Sequence, residues 1–211
     1  LKKVEFHLGS SIKMRFFKKF SQENFLSLFN KNDLCEIKPG ISTTGYYTIL
    51  SANISSGGAD TPEITIMNLF FEKVTENIWS SRGIIENYSS KGIRAFFKSS
   101  SDALNVAIKI KRYFNIFKLK SAPNSRIELS IALHAERFTV GIIGHPSFMQ
   151  CSMITDLSEI IRKLEKLGKT YKIQLIATES LFDIEKKEKK LITRTLGRYK
   201  NEMYQRIIEI Y

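Results

Sequence analysis

No run in this chain approaches the roughly 20 consecutive apolar residues that cross a bilayer, so it reads as soluble. Cysteine is scarce. Cys35 and Cys151 lie far apart and belong to no Cys-x-x-Cys or Cys/His cluster. That leaves two free thiols in a reducing compartment or, as the other arrangement, one disulfide. His7, His134 and His145 show no metal-ligand spacing, so no zinc site is expected. With four Pro, eleven Gly and no low-complexity tract, nothing marks a disordered or repetitive chain. Leu1 stands where a Met would open a complete protein, so the chain reads as a piece of a longer one, with any anchor or sensor upstream out of sight.

What is present is a core-forming chain with a positive bias. Of the 211 residues 43% are hydrophobic, enough to bury one sizeable core. Lys and Arg number 33 against 21 Asp and Glu, a formal charge of +12. Such a balance suits nucleic acid, anionic lipid or phosphorylated ligands, and equally a lysine-rich genome. No nucleic-acid motif accompanies it, and the aromatics fall on predicted core faces rather than among basic residues. The densest run, Glu185 to Lys190, has acids mixed in and reads as a solvated turn or helix end.

Hydrophobic spacing orders the elements. MRFFKKFSQENFLSLF repeats apolar residues at three- and four-residue intervals and reads as a helix, followed by a connector over Asn30–Gly45. Gly45–Ser55 is an apolar, β-branched run that predicts a buried strand. Thr61 and Pro62 open a helix with Ile64, Met67, Phe71, Val74 and Ile78 on one face. Gly83–Phe97, GIIENYSSKGIRAFF, predicts a strand, a tight turn and a strand. Ser101-Asp102 opens the next helix, with Leu104, Ala107, Ile108, Lys111 and Phe114 on one stripe, and Pro123-Asn124 ends the connection after it. Arg126–Ile143 predicts two strands around His134–Arg137, and Phe148–Ile154 a further one. Asp156 caps an amphipathic helix carrying Leu157, Ile160, Ile161, Leu164 and Leu167. A strand at Lys172–Thr178, a short helix at Glu179–Ile184 and strands at about Leu191–Tyr199 and Tyr204–Tyr211 finish the chain. Alternating helices and strands with hairpins interspersed predict an α+β sandwich, a mixed sheet covered by helices.

Several of these segments together carry a resemblance. GIIENYSSKGIRAFF resembles the hairpin G-x-I-D-K-(F/Y)-I-G-D-x-(I/L)-M-A-x-F of class III nucleotidyl cyclases, the adenylate and guanylate cyclase catalytic domains. YTILSANIS resembles that family's first core strand, T-(V/I)-L-F-x-D-I, and SDALNVAIKIKRY its second core helix. IELSIALHAERFTVGIIG is similar to its G-I-x-x-G-x-x-x-x-G-x-I-G hairpin. ITDLSEIIRKLEKLG is similar to I-G-D-x-V-N-x-A-x-R-L-E, and LGRYKNEMYQRIIEIY to the closing hairpin. The likeness runs from about Phe16 to Tyr211. It implies a class III cyclase-like α+β fold: a ferredoxin-like βαββαβ core with a mixed sheet, helices packed on the sheet and a C-terminal hairpin. An N-terminal helix and connector, residues 1–40, would lead into a cyclase-like domain at 41–211.

In that family the ribose 3′-hydroxyl attacks the α-phosphorus of a nucleoside triphosphate and pyrophosphate leaves. Two divalent ions clamp the oxygens, held by one aspartate on the first strand and one at the hairpin tip. The matching positions here are Asn53 and Lys91. The base-reading lysine and its partner match Asn87 and Ser152, and the transition-state asparagine matches Glu159. Arg162 is taken as the retained arginine, and Arg94 stands in place of a methionine. Each residue also has a plainer reading. Lys91 suits a solvated hairpin tip, Glu159 and Arg162 suit a surface helix pair, and Asn53 suits the turn after its strand.

These replacements lead to the expectation of a catalytically inactive cyclase homology domain, not an enzyme, acting in signalling, dimer assembly or metal-independent ligand sensing. It would be a cytoplasmic, bacterial homodimer with no metal and no other cofactor. Lys91 and Arg162 would hold a nucleotide or phosphate ligand. No specific nucleic acid and no membrane segment is expected. The alternatives are a residual cyclase making cAMP or cGMP through a rearranged site, with Glu159, Glu86 or Asp156 as replacement carboxylates, and a basic module that binds anions or nucleic acid.

Overall fold

The computed structural model describes residues 19–56, 64–121, 127–154, 158–183, 193–199 and 205–210. The first helix, α1 (Lys19–Leu28), leads through a short turn at Leu34–Glu36 to β1 (Ser42–Ser56). Then come α2 (Ile64–Ser80), β2 (Ile84–Tyr88), β3 (Gly92–Phe97) and α3 (Ser100–Ser121). The second half holds β4 (Ile127–His145), β5 (Phe148–Met153), α4 (Ser158–Tyr171), β6 (Leu175–Thr178), α5 (Ser180–Asp183), β7 (Thr193–Tyr199) and β8 (Gln205–Ile210).

β1 is the spine of the sheet because it pairs along both edges. It runs antiparallel to β4 from Ser42↔Gly141 to Ser56↔Ile127, and antiparallel to β3 from Thr48↔Phe97 to Asn53↔Gly92. The eight strands follow the order β2-β3-β1-β4-β6-β8-β7, with β5 attached to β4. The β4–β6 pair is parallel, so the sheet is mixed and the α+β expectation holds.

Alternation along the strands gives the sheet two different faces. Leu50, Ala52 and Ile54 of β1 and Ile93, Ala95 and Phe97 of β3 meet Phe70, Val74 and Ile78 of α2 and Ala107, Ile110 and Phe114 of α3. Tyr47, Ile49 and Phe96 turn the other way, onto Phe25 and Phe29 of the α1 segment and Ile161 and Leu164 of α4. The residues that continue this second face, Ser51 and Asn53, are polar.

Three sequence expectations shift. The stretch read as two strands around His134–Arg137 is one strand, β4, because His134 is fully buried and satisfied by side chains instead of turning. Its Nε2 donates to Glu136 Oε2 at 2.9 Å and its Nδ1 accepts from Thr178 Oγ1 at 2.8 Å. On α2 the sealed face is Met67, Phe70, Val74, Thr75 and Ile78, while Ile64 is 74% exposed. On α3, Ile110 and Phe117 join the buried stripe, and Lys111 lies outside it. The caps expected at Thr61-Pro62 and Asp156, the turn at Pro123-Asn124, the first half of the N-terminal helix and the Glu185–Lys190 run lie outside the described residues. Among the described residues no helix is long and apolar enough to cross a membrane, and Cys35 and Cys151 are free thiols.

Candidate functional site

The polar half of the second face opens into a groove of about 430 Å³. Its floor is made by Ser51 and Asn53 of β1, Gly92 and Arg94 of β3 and Ser130 of β4. Register puts them together: Asn53 faces Gly92 and Ser51 faces Arg94 on one side, and Asn53 faces Ser130 on the other. Glycine at 92 is a steric requirement. A Cβ there would lie 2.1 Å from Asn53 Oδ1 and 2.2 Å from the Ala52 carbonyl oxygen, well inside contact distance.

The hairpin tip forms one rim. Ser89 closes the turn, its backbone N–H donating to the Gly92 carbonyl at 2.8 Å while its Oγ accepts from the N–H groups of Lys91 and Gly92. The Lys91 carbonyl accepts from the Ile54 N–H at 2.7 Å. That bond ties the tip to the end of β1, and the Lys91 side chain lines the groove.

The opposite wall is α4. Its sequence SEIIRKLEKLGKTY buries Ile161 and Leu164 against the sheet. The residues Arg162, Glu165, Lys166 and Lys169 then fall on the adjacent stripe, facing the groove. Gly168 lets the helix sit close, since a Cβ there would lie 2.9 Å from Ser130 Oγ. Ser51 Oγ donates to Glu165 Oε1 at 2.6 Å and accepts from Asn53 Nδ2 at 3.4 Å, joining floor to wall. The buried Ser130 Oγ has no hydrogen-bond partner among the described residues. Five cationic side chains, Lys91, Arg94, Arg162, Lys166 and Lys169, line the groove against the single carboxylate of Glu165. Among the described residues none of Lys91, Arg162, Lys166 and Lys169 makes an ion pair.

Of the residues singled out in the sequence, Asn53, Asn87, Lys91, Arg94 and Arg162 come together in this groove. Ser152 and Glu159 do not line it. Ser152 on β5 donates to Glu86 Oε1 at 3.1 Å, and the Met153 N–H donates to the same oxygen at 3.0 Å. Glu86, its side chain only 6% exposed, thereby pins β5 to β2, with Arg94 Nη1 3.7 Å from its other oxygen. That oxygen and Arg94 Nε lack hydrogen bonds among the described residues. Beside Glu86, burial first and that carboxylate second push the Cys151 thiol up to about 12, so it is no nucleophile.

Glu159 pairs with Lys163, four residues on. In V-N-x-A-x-R the asparagine and arginine also stand four apart, so with Glu159 at the asparagine position the arginine position falls on Lys163. Arg162 is one residue early, turned toward the groove instead of toward Glu159. Sequence reading missed Ser51, Glu165, Lys166 and Lys169. The signal for the last three was the polar stripe beside the apolar face of α4.

The donor set argues against a divalent ion of the kind the resemblance implies. Hard ions take several carboxylate or carbonyl oxygens, and two like unit charges about 4 Å apart repel by about 4 kcal/mol at typical protein-surface screening. Asn53 offers a neutral oxygen, Lys91 a cation, and Glu165 is engaged by Ser51. Among the described residues no group of three or more His, Cys, Asp or Glu could hold a metal. Asp156, one candidate replacement, is outside the described residues, and Glu86 and Glu159 are committed elsewhere.

This architecture is shared with known proteins. A bacterial light-regulated adenylyl cyclase superposes with a TM-score of 0.76 over 98% of this chain and 63% of its own, at 14% identity. The fold is that of a class III nucleotidyl cyclase domain. The guanylyl cyclase Cya2 matches the cyclase fold with a TM-score of 0.66 over 80% of this chain and 93% of its own, at 15% identity. No family model matches the chain. In sequence, the adenylate cyclase of Anabaena cylindrica is 24% identical over 179 residues. That match covers 78% of this chain and 36% of the relative, so the chain spans about a third of the length of that protein. These findings correct the expectation of a non-enzyme: the relative and the solved neighbours are adenylyl and guanylyl cyclases, which points to an enzyme. Asn53 and Lys91, at the positions where the resemblance implies aspartates, bear on how a metal would be held. They leave intact a groove rich in the cations that phosphoryl chemistry uses.

Proposed function

We propose that this domain is a nucleotidyl cyclase, converting a nucleoside triphosphate to a cyclic nucleotide and pyrophosphate in the groove between the β2–β3 tip and α4. The observation that carries the reading is the placement of five cations around the groove in a cyclase fold whose relative is an adenylate cyclase. In this reaction the bond from the ribose 3′-oxygen to the α-phosphorus forms as the bond to the leaving pyrophosphate breaks. Negative charge grows on the leaving oxygens, and fixed cations lower the barrier by meeting it there. Arg162 and Lys91 stand on opposite rims and grip the phosphates from two sides, Arg162 through its planar fork. In this reading Glu165, the one carboxylate that lines the groove among the described residues, takes the 3′-hydroxyl proton on the oxygen not bonded to Ser51.

The domain acts as a pair in the cytoplasm. Support for pairing comes from the β4–β5 arm, where Ile143 is 44% and Phe148 81% exposed, apolar surface of the kind a second copy covers. A dimer at tens of micromolar by light scattering is expected, and a strict monomer would remove the pairing from the reading. For the activity, the purified chain is incubated with ATP or GTP, with Mg²⁺, with Mn²⁺ and with a chelator, and cyclic nucleotide is quantified by mass spectrometry. Product that falls about 100-fold in Arg162→Ala is expected from the usual effect of one charge-stabilising donor. No product from either nucleotide under any of these conditions would refute the reading.

A further inference from the structure

Where the resemblance implies two metal-holding carboxylates, this groove presents the neutral Asn53 and the cation Lys91, and the mismatch has a direct consequence for the ligand. Resting on the reading of the groove as a nucleotide site, we propose that it takes the nucleoside triphosphate in its metal-free form, with Lys91, Arg94, Arg162, Lys166 and Lys169 in the electrostatic place of divalent ions. Magnesium then competes with the protein for the triphosphate instead of bridging the two.

Three features carry this. The position is fixed by backbone, since the Lys91 carbonyl is bonded to the Ile54 N–H and the tip is closed by Ser89. The loop that carries Lys91 is therefore anchored beside the groove that its side chain lines. The surrounding charge is consistent with it, because Lys91, Arg162, Lys166 and Lys169, with Arg94 shared with Glu86, line the groove against the one lining carboxylate, and that carboxylate is bonded to Ser51 Oγ at 2.6 Å. The remaining floor groups suit phosphate oxygens. Asn87 lines the groove with its amide, and Ser130 Oγ is a buried hydroxyl without a partner among the described residues. Bare triphosphate carries more negative charge than its magnesium complex, so a cation-lined groove prefers the bare form, whereas a carboxylate-lined one prefers the complex. The geometry thus inverts the sign of the metal effect.

The test is calorimetric titration of the whole chain with α,β-methylene ATP, α,β-methylene GTP and inorganic triphosphate, in chelator and again in excess Mg²⁺. Binding in chelator that weakens about tenfold in Mg²⁺ is expected, as is Lys91→Gln weakening the chelator affinity about tenfold and removing most of the Mg²⁺ effect. The Asn53→Asp/Lys91→Asp double variant restores the carboxylates, and in it Mg²⁺ should strengthen binding. Lys91 is exposed at a turn tip, so Lys91→Gln should keep the wild-type melting temperature; the double variant also removes the Asn53 amide that donates to Ser51, so its folding is verified by melting on the same samples before titration. Binding that requires Mg²⁺, or a Mg²⁺ effect unchanged in Lys91→Gln, overturns this inference and leaves the groove as the nucleotide site. No binding of any probe in either condition overturns the groove reading itself.

Discussion

The two faces of β1 differ in what they ask of their residues. Leu50, Ala52 and Ile54 point into a sealed core with no solvent exposure, while Ser51 and Asn53, one step along the same strand, form the floor of an open groove. The first set holds the sheet to α2 and α3. The second contributes little packing and instead arranges a polar chain from Asn53 through Ser51 to Glu165. A second contrast sharpens the first. The cleft on the outer side of α2, about 490 Å³, is lined by Glu72, Glu76, Phe71, Trp79 and Tyr88 and has no cation. The two clefts therefore differ in the sign of the charge that lines them, and overall charge alone would not have told them apart.

Substitutions should separate the two faces. Phe70 is fully buried against Phe114 and Phe117, so Phe70→Ala should cost about 3–5 kcal/mol in chemical denaturation, the largest effect on stability. On the groove side, Arg162→Ala should leave the denaturation midpoint within about 0.5 kcal/mol of wild type while cutting turnover as described above. A comparable loss of stability in Arg162→Ala would break the division between faces. Glu159 and Lys163 lie on the outer surface of α4, and Glu159→Ala should change stability by only about 0.2–0.5 kcal/mol with turnover unchanged.

Acid tests the other end of β4. Burial lowers the His134 pKa below its ordinary 6.5, outweighing the pull of Glu136. The imidazole is neutral when folded, so the unfolded chain takes up its proton first as pH falls. Stability from this group is complete above about 6.5 and is lost progressively below it. Melting temperatures from pH 8 to 5 should fall on the acid side, and His134→Gln should flatten that slope. An unchanged slope would mean that another group governs acid sensitivity.

Much of this was legible in sequence because it is local. The apolar, β-branched run YTILSANIS identified β1, and the Ser89–Gly92 cluster identified the turn. The family spacing put Asn53 and Lys91 at matching places, and the register then set Asn53 beside Gly92. What failed was decided by distant partners. The polar run His134–Arg137 looks like a turn until Thr178, 44 residues on, is available to bond the histidine. The charged α4 wall was missed because Glu165, Lys166 and Lys169 become groove residues only when α4 docks through Ile161 and Leu164. Arg162 was read as the motif arginine because it is the nearest arginine, although the spacing favours Lys163.

The account stands or falls on where a triphosphate binds. Amide chemical shifts of the chain, titrated with α,β-methylene ATP or GTP, map that place without reference to turnover. Shifts concentrated at Ser51, Asn53, Ser89–Arg94 and Arg162–Lys169, with Leu50 and Phe70 little changed, are the expected result. Shifts centred on the Glu72–Trp79 cleft, or none at all, would contradict it.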